Sequence, residues 1–165
     1  MAKHLTDTLF TIQYDRFIFD DIDNVKLAQE ILEQQNRVSN NPDTPLFEDT
    51  VFNPMVDSVG AGVYNKFASL FDTFQLKIYE HWTQIHQPLE STSLHKHGSF
   101  PFAFVYYVKV PEGAGNLIFD IDSMISIVPP VESNMLIFPG LLMHRVSKNL
   151  STDIRISWSG NLGYK

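Results

Sequence analysis

Two histidines with one residue between them, His95 and His97, form the pair best placed to hold a metal ion. On an extended chain this spacing points both imidazoles to one face, with Cα atoms about 6.6 Å apart. Their ring nitrogens can then converge on one ion at metal–nitrogen distances of about 2.1 Å. A third ligand is needed, and His144 is the natural candidate. Phe138-Pro139-Gly140 makes a turn ahead of it, and the chain then returns to strand. The chain has no Cys, which removes thiolate zinc sites, iron–sulfur clusters, disulfides and cysteine nucleophiles together. Any metal must therefore rest on His, Asp or Glu. Asp120 and Asp122 offer carboxylates, but they read as a strand end and a loop.

A second chemical feature lies in Asp153-Ile154-Arg155-Ile156-Ser157-Trp158. Strand alternation puts Arg155 and Ser157 on one face and Ile154, Ile156 and Trp158 on the other. A guanidinium facing a protein interior is costly unless a counter-charge meets it. Beside a hydroxyl it makes a receptor for a ligand carboxylate. With the opposite face inward, Arg155 and Ser157 would simply face solvent, and periodicity alone leaves both arrangements open.

The elements that must position these residues follow from composition and pattern. The 165 residues suit one domain, and 44% hydrophobic with 19% charged residues is a globular composition. Thirteen Phe, six Tyr and two Trp favour sheet. A formal charge of −7 argues against a nucleic-acid groove. With no signal segment and no apolar run near the ~20 residues of a membrane span, a soluble cytoplasmic protein is expected. Leu9 to Phe19 reads as an opening strand or strand pair. Asp23 or Asn24 is placed to cap a helix from Val25 to about Val38, with Leu27, Ala28, Ile31, Leu32 and Val38 on one face. Residues 39–62 are rich in Pro, Asn, Asp and Gly, a long irregular connection expected to act as a lid. Tyr64 to Phe74 returns to helical spacing through Phe67, Leu70, Phe71 and Phe74.

Beyond Gln75 the chain is a series of short aromatic and β-branched segments: Leu76–Ile85, Phe100–Val110, Gly115–Ile121, Met124–Val128, Asn134–Phe138, Met143–Ser147 and Asp153–Ser159. Pro- and Gly-containing turns separate most of them. The expected fold is mainly β, a double-stranded β-helix (jelly roll) with two helices from the N-terminal half packed on one face, all within a single domain over 1–165.

The stretch from Trp82 to Leu162 resembles the 2-oxoglutarate- and Fe(II)-dependent oxygenases, especially a compact branch common in bacteriophages. The matching pieces are Trp82-Thr83-Gln84-Ile85, His95-Lys96-His97, Val105-Tyr106-Tyr107-Val108-Lys109-Val110-Pro111-Glu112, Gly115-Asn116-Leu117-Ile118-Phe119, Phe138-Pro139-Gly140-Leu141-Leu142-Met143-His144 and Arg155-Ile156-Ser157. The resemblance implies that His95, His97 and His144 hold Fe(II). It further implies that Arg155 and Ser157 bind the far carboxylate of 2-oxoglutarate, with a hydrogen bond from Tyr106 or its neighbour Tyr107. The implied activity is hydroxylation of a small molecule or peptide with decarboxylation of 2-oxoglutarate to succinate, in the host cytoplasm if the chain is phage-encoded.

Two departures stand out. His97 occupies a position where the commoner family pattern has a carboxylate, giving three neutral ligands. Phe102-Ala103-Phe104 replaces a small Ser-Gly. The leading alternative is a cupin-like metal protein, a three-His dioxygenase or isomerase without 2-oxoglutarate. Pro139-Gly140 followed by His144 and Asn149 approximates the second cupin motif, but the first motif's Glu is missing and a cupin has no need of an inward Arg155. A non-enzymatic jelly roll with a degenerate pocket is the third reading.

Overall fold

The computed structural model describes residues 13–39, 54, 57–121 and 124–165. A short strand β1 (Asp15–Ile18) leads into helix α1 (Asn24–Ser39). Asp23 caps that helix: its Oδ1 accepts the Lys26 backbone N–H at 3.1 Å, and its carbonyl accepts the Leu27 N–H at 3.0 Å. The Lys26 amide, aided by the Lys26 ammonium, holds the exposed Asp23 carboxyl below the usual carboxylate range. Helix α2 (Val59–Thr73) is capped by Ser58, whose Oγ accepts the Ala61 N–H at 3.1 Å. It starts at Val59 rather than Tyr64, because Gly60 and Gly62 in its first turns carry no apolar signal and weaken helix propensity. The opening-strand residues 9–12 and most of the expected lid (40–53, 55 and 56) lie outside the described residues.

Strands β2 (Leu76–His86), β3 (Thr92–His95), β4 (Phe102–Lys109), β5 (Leu117–Ile121), β6 (Met124–Val128), β7 (Asn134–Pro139), β8 (His144–Val146) and β9 (Arg155–Tyr164) follow. They form two antiparallel sheets, ordered β1-β7-β4-β9-β2 and β3-β8-β5-β6. This is the expected jelly roll. No helix among the described residues is long and apolar enough to cross a membrane.

Strand β4 is buried on both faces. Phe104, Tyr106 and Val108 point to the helices, where they join Leu27, Ile31, Phe67, Phe71, Met135, Ile156 and Trp158. Ala103, Val105 and Tyr107 point between the sheets, with Leu117, Phe119, Leu136 and Phe138. The fully buried Phe67 ring is the hub of the outer core, 5.0 Å from Tyr106 and 5.4 Å from Trp158 in edge-on contacts. Truncating it to Ala would cost about 3–5 kcal/mol.

Trp158 and Ile156 belong to this helix-side core, and that decides the orientation of β9. Alternation turns Arg155, Ser157 and Ser159 into the space between the sheets, and Arg155 is only 1% exposed.

Candidate metal centre

His95 ends β3 and His144 opens β8, and the two are register partners across the β3–β8 ladder. His97 is not on the strand. It follows β3 in an irregular segment whose backbone is tied to the turn after β7, with His97 N donating to Gly140 O at 2.8 Å and Gly140 N to Pro101 O at 3.0 Å. A Cβ at position 140 would run into the Phe100 carbonyl, so glycine is what lets the two loops meet. Pro139-Gly140 thus does more than turn the chain ahead of His144. It also seats the loop carrying His97.

Backbone carbonyls orient the His95 and His144 imidazoles. His95 Nδ1 bonds Ser93 O at 2.8 Å, and His144 Nδ1 bonds Leu142 O at 2.8 Å. A carbonyl only accepts, so each Nδ1 carries the proton and each Nε2 is left with its lone pair. His97 Nε2 stands 3.1 Å from His144 Nε2, and potential ligand atoms of all three residues lie within 4.8 Å of one another. Two nitrogens bound at right angles to one ion at about 2.1 Å are about 3 Å apart, so this separation suits two adjacent ligands of a single metal. Burial pushes His144 down to about 4, helped by the neighbouring His95 and His97 and opposed by the Leu142 bond, so its ring is neutral at pH 7. Trp82 stacks on His97 at 5.8 Å between centroids, and Phe138 meets His144 edge-on at 5.0 Å. Among the described residues no carboxylate joins the cluster, and Asp122 lies outside them. A neutral three-imidazole set suits Fe, Ni, Cu or Zn rather than Mg or Ca.

The same pocket is lined by Arg155, Ser157 and Tyr107. Arg155 Nη1 donates to His86 Nδ1 at 3.2 Å and to Ser157 Oγ at 3.4 Å, while its Nε is buried without a partner. Its guanidinium lies over the Tyr107 ring at 5.3 Å, and the buried Tyr107 hydroxyl has no partner other than the Arg155 guanidinium beside it. Burial pushes Tyr107 up to about 12, against the pull of the Arg155 charge, and burial lowers Arg155 from its ordinary value. Among the described residues no carboxylate pairs with Arg155. A buried cation with open donors beside it is a receptor for an anion.

Of the two tyrosines that the resemblance offers for the co-substrate, Tyr106 is not at the pocket. It lies on the helix side of β4, where its hydroxyl donates to Asn24 Oδ1 at 2.9 Å. Tyr107, one residue on and therefore on the opposite face, is the tyrosine at the pocket. Sequence reasoning also passed over His86, one of six histidines and the last residue of β2. Its pairing with Arg155 depends on strand register, which no local pattern reveals.

No protein-family model and no curated protein sequence matches this chain. Its fold does match solved structures. A prolyl-4-hydroxylase from Pseudomonas putida superposes with a TM-score of 0.73 at 18% identity, covering 94% of each chain. The viral collagen prolyl hydroxylase of Paramecium bursaria Chlorella virus-1 gives 0.70 at 13% identity over 100% of both chains. HygX from Streptomyces hygroscopicus, solved with nickel and 2-oxoglutarate bound, gives 0.70 at 14% identity over 94% of this chain and 84% of its own. At these identities the likeness is one of architecture: the chain has the double-stranded β-helix fold of the 2-oxoglutarate/Fe(II) oxygenases.

Proposed function

We propose that the protein is a 2-oxoglutarate- and Fe(II)-dependent oxygenase of a small molecule or peptide. His95, His97 and His144 would hold the iron, and Arg155 would hold the far carboxylate of 2-oxoglutarate, with Ser157 and Tyr107 beside it. The observation that carries this reading is the buried Arg155, which has no acid partner among the described residues and lines the same pocket as three clustered histidines. A fold gains nothing from an unpaired buried charge, so a site that keeps one is built for an anionic ligand. A cupin-like metal centre gives no reason for that arginine.

When bound, iron with 2-oxoglutarate and dioxygen supplies the oxidising power to hydroxylate a C–H bond, with 2-oxoglutarate leaving as succinate and carbon dioxide. The chain's own residues bind, orient and exclude water. The Nδ1–H bonds to Ser93 and Leu142 aim the His95 and His144 lone pairs. Arg155 fixes the far end of the five-carbon diacid, which sets the position of its keto acid end. Trp82, Leu117, Phe138 and Val146 wall the pocket and keep its dielectric low.

The test is an anaerobic titration of Fe(II) and then 2-oxoglutarate, read by the visible charge-transfer absorption of a chelated keto acid, followed by admission of oxygen and assay for succinate. Binding of both ligands with slow succinate release supports the reading. Iron binding without any 2-oxoglutarate binding overturns it and leaves the cupin-like alternative.

A further inference from the structure

Arg155 is held at its buried end by one imidazole. His86 closes β2 directly opposite Arg155 in the β2–β9 register, is 5% exposed, and takes the Arg155 Nη1 donor on its Nδ1 at 3.2 Å. Its other nitrogen lies 2.8 Å from Thr92 Oγ1, at the start of the strand that ends in His95. Its carbonyl accepts from Asn149 Nδ2 at 3.0 Å. We infer that His86 is a positioning residue for the carboxylate anchor: bridging Arg155 on β9 to Thr92 on β3, it holds the guanidinium by Nη1 and leaves the Nε edge for the ligand. This rests on the oxygenase reading and adds to it the group that shapes the co-substrate site.

Arginine has only donors, so Nδ1 must present a lone pair. Nε2 then carries the proton and donates to Thr92 Oγ1. Both ring nitrogens are engaged, so His86 acts on the ligand only through Arg155. Burial, then the Arg155 charge, pushes His86 down to about 4, which keeps this tautomer neutral at pH 7.

Neutrality explains why a histidine stands here. An aspartate or glutamate would hold Nη1 more strongly, but it would also cancel the guanidinium charge and make the pocket indifferent to an anion. A neutral acceptor orients the fork and leaves its whole charge to the incoming carboxylate. The groups facing His86 are Arg155 from β9, Thr92 from β3 and Asn149 from the loop before β9, so Arg155 is the one charge among these partners.

The isosteric pair His86→Asn and His86→Asp separates charge from shape. The experiment titrates 2-oxoglutarate into Ni(II)-loaded protein by calorimetry, with nickel affinity and melting temperature measured for each variant. His86→Asn keeps a neutral acceptor near Nδ1 and is expected within about threefold of wild type, and His86→Leu about tenfold weaker. His86→Asp is expected to weaken binding by about thirtyfold or more while melting no lower than His86→Asn. Nickel affinity should be unchanged throughout. A loss of 2-oxoglutarate affinity with nickel affinity and melting temperature unchanged is a pattern that a merely structural role would not produce. If wild type binds 2-oxoglutarate through Arg155 but the Asn and Asp variants bind alike, the role of His86 is refuted and the oxygenase reading stands. If Ni(II)-loaded wild type binds no 2-oxoglutarate, or Arg155→Ala binds it as well as wild type, the oxygenase reading falls and this inference with it.

Discussion

His97 Nε2 and His144 Nε2 face each other at 3.1 Å, one from an irregular segment after β3 and the other from the first residue of β8. His144 Nδ1–H donates to Leu142 O, so the lone pair at His144 Nε2 points into the cluster. Two imidazole nitrogens this close would serve as adjacent ligands of one bound cation. Each of His95→Ala, His97→Ala and His144→Ala should therefore lower Fe(II) or Ni(II) affinity by at least about tenfold, since the remaining pair is only bidentate. A His97→Ala protein that binds metal like wild type would show that the third ligand lies elsewhere.

His97→Asp is the informative gain-of-charge variant. It would turn three neutral ligands into two imidazoles and a carboxylate, adding one negative charge beside the cation. Metal affinity measured by competition with a chelator should rise, provided the shorter side chain still reaches. If it falls, the loop seated on Gly140 sets His97 too far back for a carboxylate to replace it.

Arg155 should weigh against stability and in favour of binding. Arg155→Met replaces a buried cation, with no acid partner among the described residues, by an apolar chain of similar length, and such exchanges are often neutral or stabilising. The variant is expected to melt at or above wild type, to bind metal normally and to lose 2-oxoglutarate. Arg155→Lys keeps the charge but loses the fork and should weaken 2-oxoglutarate about tenfold. A large drop in melting temperature for Arg155→Met would mean that the arginine serves the fold instead.

Much of this architecture is legible in the residues, and the gaps have physical causes. Alternating segments and turn residues mark most strands of both sheets, and Met124–Val128 matches its expected limits, but the four-residue edge strand Thr92–His95 carries no apolar run and is absent from the expected segments. The HxH spacing and the turn before His144 mark the histidines, although His97 lies beyond the strand and is held by a Gly140 contact with no local signature. Which face of β9 is inward cannot be read from its alternation, because isoleucine, tryptophan, arginine and serine alternate equally well in either sense. The α1 and α2 packing against Ile156 and Trp158 decides it. His86 stayed hidden for the same reason, its meaning lying in a register between residues 69 apart in sequence.

Acid should loosen the metal-stripped protein before its carboxylates titrate. Burial holds both His86 and His144 at about 4, against 6.5 for an ordinary histidine, and moves His81 in the same direction. Between those values the unfolded chain binds protons that the folded chain does not. The stability from keeping these rings neutral is fully present above pH 6.5 and is lost as pH falls through about 4. Urea unfolding should show a midpoint that declines across this window, less steeply in His86→Asn. A midpoint flat from pH 7 to 4.5 would contradict the buried neutral state of both rings.

Tyr106 and Tyr107 offer the sharpest contrast, since adjacent residues with the same side chain serve different parts of the molecule. The Tyr106 hydroxyl is buried and donates to Asn24 Oδ1, and Asn24 Nδ2 in turn donates to Ser133 Oγ at 2.9 Å, which fastens the start of α1 to the loop before β7. Removing it leaves Asn24 short of a donor, so Tyr106→Phe should lower stability by about 0.5–1.5 kcal/mol and leave 2-oxoglutarate binding unchanged. Among the described residues the buried Tyr107 hydroxyl has no partner other than the Arg155 guanidinium, so the fold gains little from it. Tyr107→Phe should therefore leave stability unchanged or raise it, while weakening 2-oxoglutarate several-fold through loss of one hydrogen bond to the ligand. Urea unfolding and calorimetric titration of the two variants side by side make the check. If Tyr106→Phe weakens 2-oxoglutarate and Tyr107→Phe does not, the co-substrate binds on the opposite face of β4.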